Sequence, residues 1–194
     1  VFRKEDDYRA FLQLMVEANE RLAMRLTGYC LMPNHFHLLL WPYGDGDLSR
    51  WMQWLLTSHV RRYHRHYRGS GHVWQGRFKA FPIEQDEHYL TVLRYVERNA
   101  LRADLVPRAE DWPWSSLPMS PESSPDELLH PGPVAKGRQW LQRVTRAETE
   151  GELRRLRQSV NRGTPFGSDE WAASTAAALD LESSLRPRGR PRKK

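Results

Sequence analysis

The chain has 194 residues, room for one domain of about 100–150 residues plus something smaller. Its 39% hydrophobic and 28% charged content predicts a folded core and argues against wholesale disorder. One cysteine, Cys30, excludes an internal disulfide framework and fits a reducing, cytoplasmic setting. The formal net charge of +6 points toward polyanions, and the longest apolar run, around Leu38-Leu39-Leu40-Trp41, is far too short to span a membrane. No signal-peptide pattern opens the sequence.

In chain order, Tyr8, Phe11, Leu12, Met15, Ala18 and Leu22 recur at helical spacing and predict a helix over 5–25. Thr27-Gly28 is expected to break it. Tyr29 to Met32 then reads as a strand, Pro33-Asn34 as a turn and His35 to Trp41 as a second strand, together a hairpin. Asp47 or Ser49 is expected to cap a helix running to about Tyr67, with Leu48, Met52, Leu55, Leu56, His59, Tyr63 and Tyr67 as its core stripe. Arg77 to Ile83 reads as a strand, and Asp86 starts a helix to about Leu101. A Pro/Ser-rich stretch over 117–136 reads as a linker. Helical patterns follow over 137–160 and 168–181, and a basic tail closes the chain. Helix, strand, strand, helix, strand, helix is most of a split βαβ plan, an α+β sandwich with an antiparallel sheet. That plan wants a further strand before the first helix, so an N-terminal segment is expected to be absent.

The charge is unevenly placed. Arg186 to Lys194 holds six basic residues and no acid, and the remaining chain balances 24 basic against 24 acidic residues. Between Leu48 and Ile83 lie Arg50, Arg61, Arg62, Arg65, Arg68, Arg77 and Lys79 with no acid at all. Aromatic residues interleave them, as in a groove for single-stranded nucleic acid. A solvated helix face is the plain alternative. Arg77 and Lys79, at alternate strand positions, would share a face and grip a phosphate backbone. The Trp residues read as mixed core and interface, and none is singled out for base stacking.

His35-Phe36-His37 is the sharpest local feature. On a strand both imidazoles point one way and Phe36 the other. Two neutral imidazoles side by side grip a metal in a bidentate manner and need a third ligand. Along the helix starting at Asp86, Tyr89, Val92, Leu93, Val96 and Ala100 form the core face at about 100° per residue. Tyr89 therefore packs, while Tyr95 and Asn99 lie on the flank, one turn apart. Asn99 offers a neutral carbonyl oxygen to a hard cation, and a phenol attacking phosphorus needs the leaving oxygen's charge neutralised. His59, His64, His66 and His72 do not converge on a zinc site, because 64 and 66 lie about 200° apart on a helix.

The run Pro33-Asn-His-Phe-His-Leu-Leu-Leu-Trp-Pro42, the basic helix, the segment Gly69 to Lys79 and Tyr95-Val-Glu-Arg-Asn99 resemble the REP-associated tyrosine transposases. These are single-tyrosine members of the HUH endonuclease superfamily, in which U is a hydrophobic residue, here Phe36. The match covers most of 1–116 and ends at Trp112-Pro-Trp-Ser-Ser116. The resemblance implies a ferredoxin-like HUH domain over 1–116; the later helical patterns make a C-terminal module over 137–182, and the tail over 183–194 resembles an AT-hook, with a disordered basic end as the plain alternative. The family resemblance further implies that His35, His37 and Asn99 hold Mg²⁺ or Mn²⁺ and that Tyr95 is the nucleophile, cleaving single-stranded or hairpin DNA through a 5′-phosphotyrosine. Arg61, Arg62, Arg65, Arg68, Arg77, Lys79, Arg188 and Arg190 are the expected DNA contacts. The expected setting is the cytoplasm, on the bacterial nucleoid, with residues 137–181 serving DNA reading or the contact of a homodimer. Where the family has Asn-Pro, this chain has Asn99-Ala100, so its helix is expected to run on toward Ala103. Two other readings compete: a retired, non-catalytic transposase that binds structured DNA as a regulator, and a metal nuclease that uses water.

Overall fold

A computed structural model describes residues 1–117 and 128–186. They form α1 (Glu5–Arg21), β1 (Arg25–Met32), β2 (His35–Trp41), α2 (Asp47–Tyr67), α3 (Glu87–Glu97), α4 (Asn99–Arg102), a 3₁₀ turn at Ala109–Asp111, α5 (Trp140–Thr145), α6 (Glu150–Arg162), α7 (Asp169–Ala178) and α8 (Glu182–Leu185). The chain divides into two units, residues 1–76 with 93–146, and residues 77–92 with 147 onward, so the boundary cuts α3. No helix among the described residues is long and apolar enough to cross a membrane.

The first unit is built on the hairpin. β1 and β2 pair antiparallel from Met32↔His35 through Cys30↔His37 to Gly28↔Leu39, and again at Leu26↔Leu40 and Arg25↔Trp41. The odd residue, Thr27, is a bulge. The other edge of β1 is also covered. Leu31 N–H donates to the Trp114 carbonyl (2.8 Å), Ser116 N–H to that of Tyr29 (2.9 Å), and His130 N–H to that of Leu26 (2.7 Å). Flanked on both sides, β1 is buried from Leu26 to Met32, whereas β2 is mostly half-exposed.

Two sequence expectations are corrected here. The first helix stops at Arg21, and Arg25 already belongs to β1, its guanidinium donating to the carbonyls of Trp41 and Pro42. Thr27-Gly28 lies inside the strand rather than ending a helix. Gly28 is there for space: a Cβ at this position would collide with Leu93 Cδ1 of α3. Leu93 is fully buried, so it has little room to yield. Gly28→Ala is expected to destabilise the protein by about 1–3 kcal/mol. Urea unfolding should also find it less than additive with Leu93→Ala, because the second change opens the space the first one fills.

On one face of the hairpin, Phe36 packs against Phe11 of α1 (ring centroids 5.4 Å) and Trp74 (5.1 Å). Phe2, Tyr8, Trp112 and Trp114 extend this aromatic layer. Trp51 of α2 donates its indole N–H to Asn19 of α1 at 2.9 Å. The α2 stripe is Trp51, Met52, Leu55 and His59; Leu48 and Leu56 are only half-buried. The helix is not capped by Asp47 or Ser49. Gly46, with φ 78°, stands at the cap position, and the Asp47 carboxylate accepts from Gly44 N–H.

His59 sits inside this aromatic layer, against Phe2, Phe11 and Trp74. Its Nδ1 has no partner among the described residues, and burial pushes its pKa down to about 4. Below about pH 6.5 the unfolded chain takes up a proton that folded His59 refuses until about pH 4. Stability therefore falls as pH drops through that window, by up to about 3 kcal/mol from this residue. Above pH 7 His59 contributes no slope. Urea titrations at pH 7 and 4.5 should show a smaller loss in His59→Phe than in the parent chain.

In the second unit, residues 77–83 are not a strand. Their one β-bridge is Ile83 to Phe166, so Arg77 and Lys79 do not share a strand face. Lys79 instead donates to Asn161 of α6 at 3.2 Å. The pattern over 137–160 is two helices, because Thr149 starts α6 afresh through a capping box with Glu152. Ser168 caps α7. Of the Pro/Ser-rich stretch, residues 118–127 lie outside the described residues; beyond them Leu128 is buried and Leu129 bridges Leu26.

Candidate nuclease centre

β2 presents the histidines where the period-2 rule requires. Phe36 enters the aromatic layer, and the rings of His35 and His37 lie on the other face, centroids 5.0 Å apart and edge to face. Tyr95 of α3 closes on them, its ring 5.8 Å from that of His37 and perpendicular to it. Thus two imidazoles and one phenol, about sixty positions apart in sequence, form one cluster.

Burial, then the neighbouring His35 and the charge of Arg102, push the His37 pKa down to about 3. His35 is lowered by burial and by Arg102. Both rings are therefore neutral at pH 7, with lone pairs to offer. His35 Nδ1 lies 2.7 Å from Asn34 Oδ1. In that arrangement Nδ1–H donates to the amide and Nε2 keeps the lone pair, the usual way a ligating imidazole is oriented. The sequence pattern marks Asn34 only as a turn residue; its place directly before His-x-His is the signal of its second role.

Asn99 is 3% exposed, and its Nδ2 has no hydrogen-bond partner among the described residues. Since the two ends of an amide exchange by a half-turn of the side chain, the unsatisfied end can present either oxygen or nitrogen. The backbone carries it one turn beyond Tyr95. Arg98 stays helical (φ −86°, ψ −2°), its N–H reaching the Arg94 carbonyl and the Arg102 N–H its own. The helical path therefore runs to Arg102, near the expected end. Two neutral imidazoles and an unsatisfied buried amide fit a divalent cation of borderline hardness. Cys30, opposite His37 in the register, does not join them as a thiolate, because burial pushes its thiol up to about 12.

Glu97, between Tyr95 and Asn99, is fully buried. Its carboxylate accepts from Ser116 Oγ (2.9 Å), Lys136 Nζ (2.7 Å) and Trp140 Nε1 (2.6 Å). The tyrosine helix is thereby tied to three points of the following chain. Nothing in the local sequence pattern singled out Glu97.

The described residues contain one other group of potential ligands, Glu84, Asp86 and His88 in the second unit. Glu84 is occupied by Ser168 N–H and Oγ, and Asp86 accepts from His88. His59, His64, His66 and His72 form no such group. Arg61, Arg62, Arg65 and Arg68 are exposed on or just after α2, and Arg77 and Lys79 are exposed in the second unit. In space the α2 cations are not free of acids: Asp6 and Glu17 of α1 line the same groove as Arg62 and His66. Arg188 and Arg190 lie outside the described residues.

A histidine pair on a sheet strand thus faces a helix-borne tyrosine. The IS200-like transposase family model matches residues 1–99, just over half of the chain, and the chain belongs to that family. It is 24% identical over 113 residues to the REP-associated tyrosine transposase of Escherichia coli K12, covering 57% of this chain and 64% of that protein. A candidate REP-associated tyrosine transposase of Haemophilus influenzae is 29% identical over 109 residues, covering 50% of this chain and 61% of that protein. The chain thus spans less than two thirds of the curated relatives it matches. No solved structure matches significantly.

Proposed function

We propose that the protein is a metal-dependent single-stranded DNA endonuclease and strand transferase, a transposase that forms a 5′-phosphotyrosine intermediate at hairpin or palindromic DNA. The observation that carries this reading is the approach of Tyr95 to His37, 5.8 Å between ring centroids, in a chain of the IS200-like family. Residues 1–116 carry the activity as a ferredoxin-like split sandwich, with the hairpin in its central sheet, and later helices and a basic tail follow it.

In this reading His35, His37 and Asn99 hold Mg²⁺ or Mn²⁺, which when bound neutralises charge on the scissile phosphate and on the departing oxygen. Asn34 fixes the His35 tautomer. Tyr95 Oη bonds to phosphorus as the P–O3′ bond breaks, and the bonding pair leaves with O3′. The phenolic proton passes to solvent, and O3′ takes one up. The energy of the old ester is retained in the tyrosyl ester, so the reverse attack by a 3′ hydroxyl rejoins DNA. Arg61, Arg62, Arg65, Arg68, Arg77 and Lys79, with Arg188 and Arg190 of the tail, contribute phosphate contacts. The protein works in the cytoplasm on nucleoid DNA, as a monomer or a homodimer.

The test is to incubate the full chain with labelled single-stranded hairpin DNA and Mg²⁺ or Mn²⁺. A covalent protein–DNA adduct is expected, with mass spectrometry locating the nucleotide on the Tyr95 peptide. Cut DNA without an adduct would identify a water-using nuclease, and salt-sensitive binding without cutting would identify a regulator.

A further inference from the structure

Arg3, in the segment leading into α1, holds a cation that no part of the nuclease argument uses. Its guanidinium carbon lies 4.4 Å from the centre of the Tyr67 ring and 5.5 Å from that of Tyr63. Those two rings, one turn apart on α2, are themselves 4.7 Å apart, so both support the guanidinium from one side. Among the described residues these rings are the only partners of the side chain, and Arg3 is exposed.

Both ends of Arg3 are held. Asp7 Oδ2 accepts from Arg3 N–H (2.8 Å), and the same oxygen accepts from the Tyr67 hydroxyl (2.7 Å). Backbone, carboxylate, phenol and guanidinium thus close a loop that orders the side chain before any ligand arrives. The neighbouring acids are engaged elsewhere. Asp7 Oδ2 also takes Lys4 N–H, while Glu5 and Asp6 pair with Arg9. A ring occupies only the face of a guanidinium, so the planar fork of donors at its edge is open. That fork matches two oxygens of one phosphate. Arg65 and Arg68, which flank Tyr67 in sequence, are exposed as well. Phe2, next to Arg3, packs into the aromatic layer with Phe11 and Trp74, on the face of the hairpin opposite His35 and His37. Arg3 therefore stands outside the nuclease centre.

We propose that Arg3 is a phosphate-binding residue, its fork closing on one phosphodiester of the DNA strand away from the scissile linkage. The assignment rests on the reading of the chain as a DNA-processing enzyme and adds a contact to the cations of α2. Because the guanidinium is already ordered, little side-chain freedom is lost on binding. A phosphate contact reads no base, so the site sets the position of the strand rather than its sequence.

The experiment measures binding of the full chain to labelled single-stranded hairpin DNA by fluorescence anisotropy, without divalent metal, over a range of salt. Arg3→Gln is expected to weaken binding about tenfold, the low end for a lost charge-assisted bond. The slope of log K against log salt should also fall by about 0.7–0.9, the effect of one phosphate contact. Arg3→Lys should keep the slope and lose part of the affinity, since the charge stays and the fork goes. Both substitutions keep the backbone bond to Asp7, so the urea midpoint should not move. A second measurement identifies the ligand, with a neutral methylphosphonate placed at one linkage at a time. One linkage, other than the scissile one, should show a wild-type penalty that Arg3→Gln abolishes. An Arg3→Gln protein with wild-type affinity and slope, or with an unchanged methylphosphonate profile, overturns the site whatever the adduct assay shows. A wild-type chain with the Arg3-dependent linkage but no Tyr95 adduct supports the site and overturns the transposase reading. A wild-type chain that does not bind the DNA overturns both.

Discussion

Tyr95→Phe is expected to eliminate the covalent protein–DNA adduct completely while leaving the fold unchanged. The substitution removes one oxygen and keeps the ring, so the edge contact with His37 and the stacking of Arg102 both survive. Tyr95 is only half-buried, and changes of that kind move stability by about 0.5 kcal/mol or less. Loss of the adduct with an unchanged urea midpoint would therefore isolate the nucleophile from the scaffold. An adduct that persists in Tyr95→Phe, mapped to another residue, would remove Tyr95 from its role. The companion variant His37→Ala should retain the phenol and lose ion-stimulated adduct formation, since the nucleophile alone cannot stabilise a departing 3′ oxygen.

Glu97→Ala should produce the largest loss of stability of any single change in the tyrosine helix, about 3–5 kcal/mol. The carboxylate is fully buried and accepts three donors, one of them the ammonium of Lys136. Truncation leaves a cation and an indole N–H facing a void. Domains of this size hold only about 5–15 kcal/mol in total, so the variant should unfold at markedly lower urea. Lys136→Met should cost less alone, because a buried acid then still keeps two partners, and the double mutant should be far from additive. A shift below 1 kcal/mol for Glu97→Ala would mean that Ser116, Lys136 and Trp140 find other acceptors. Glu97→Gln separates charge from shape: it preserves the volume and one accepting oxygen, but offers an amide N–H₂ where donors already point.

What could be read from residues alone followed local periodicity. His35, Phe36 and His37 sort to opposite faces because strands alternate, and Tyr95 separates from Tyr89 because a helix turns about 100° per residue. Both arguments need only neighbours in sequence. The misreadings share a different cause. Thr27-Gly28 looks like a helix breaker until Leu93 is seen to occupy the space a side chain would need. Residues 77–83 have strand-like composition, but among the described residues they find one bridge rather than a partner strand. Asn34 and Glu97 carry no periodic signal. The first acts on a residue beside it, the second on residues 19 to 43 positions away. Contacts of that sort are properties of the packed chain.

The Thr27 bulge has a consequence for how this hairpin tolerates changes in length. Between Met32↔His35 and Gly28↔Leu39 the pairing is strictly one to one, and the extra residue is taken up only beyond that point. An insertion or deletion that slips His35 to His37 by one residue against β1 would exchange the two faces and drive the imidazoles into the aromatic layer while Phe36 turned outward. The same edit made beside Thr27 would be absorbed where the ladder is already irregular. Parity, rather than the identity of the intervening apolar residues, is what a redesigned or drifting hairpin must conserve to keep both histidines on one side.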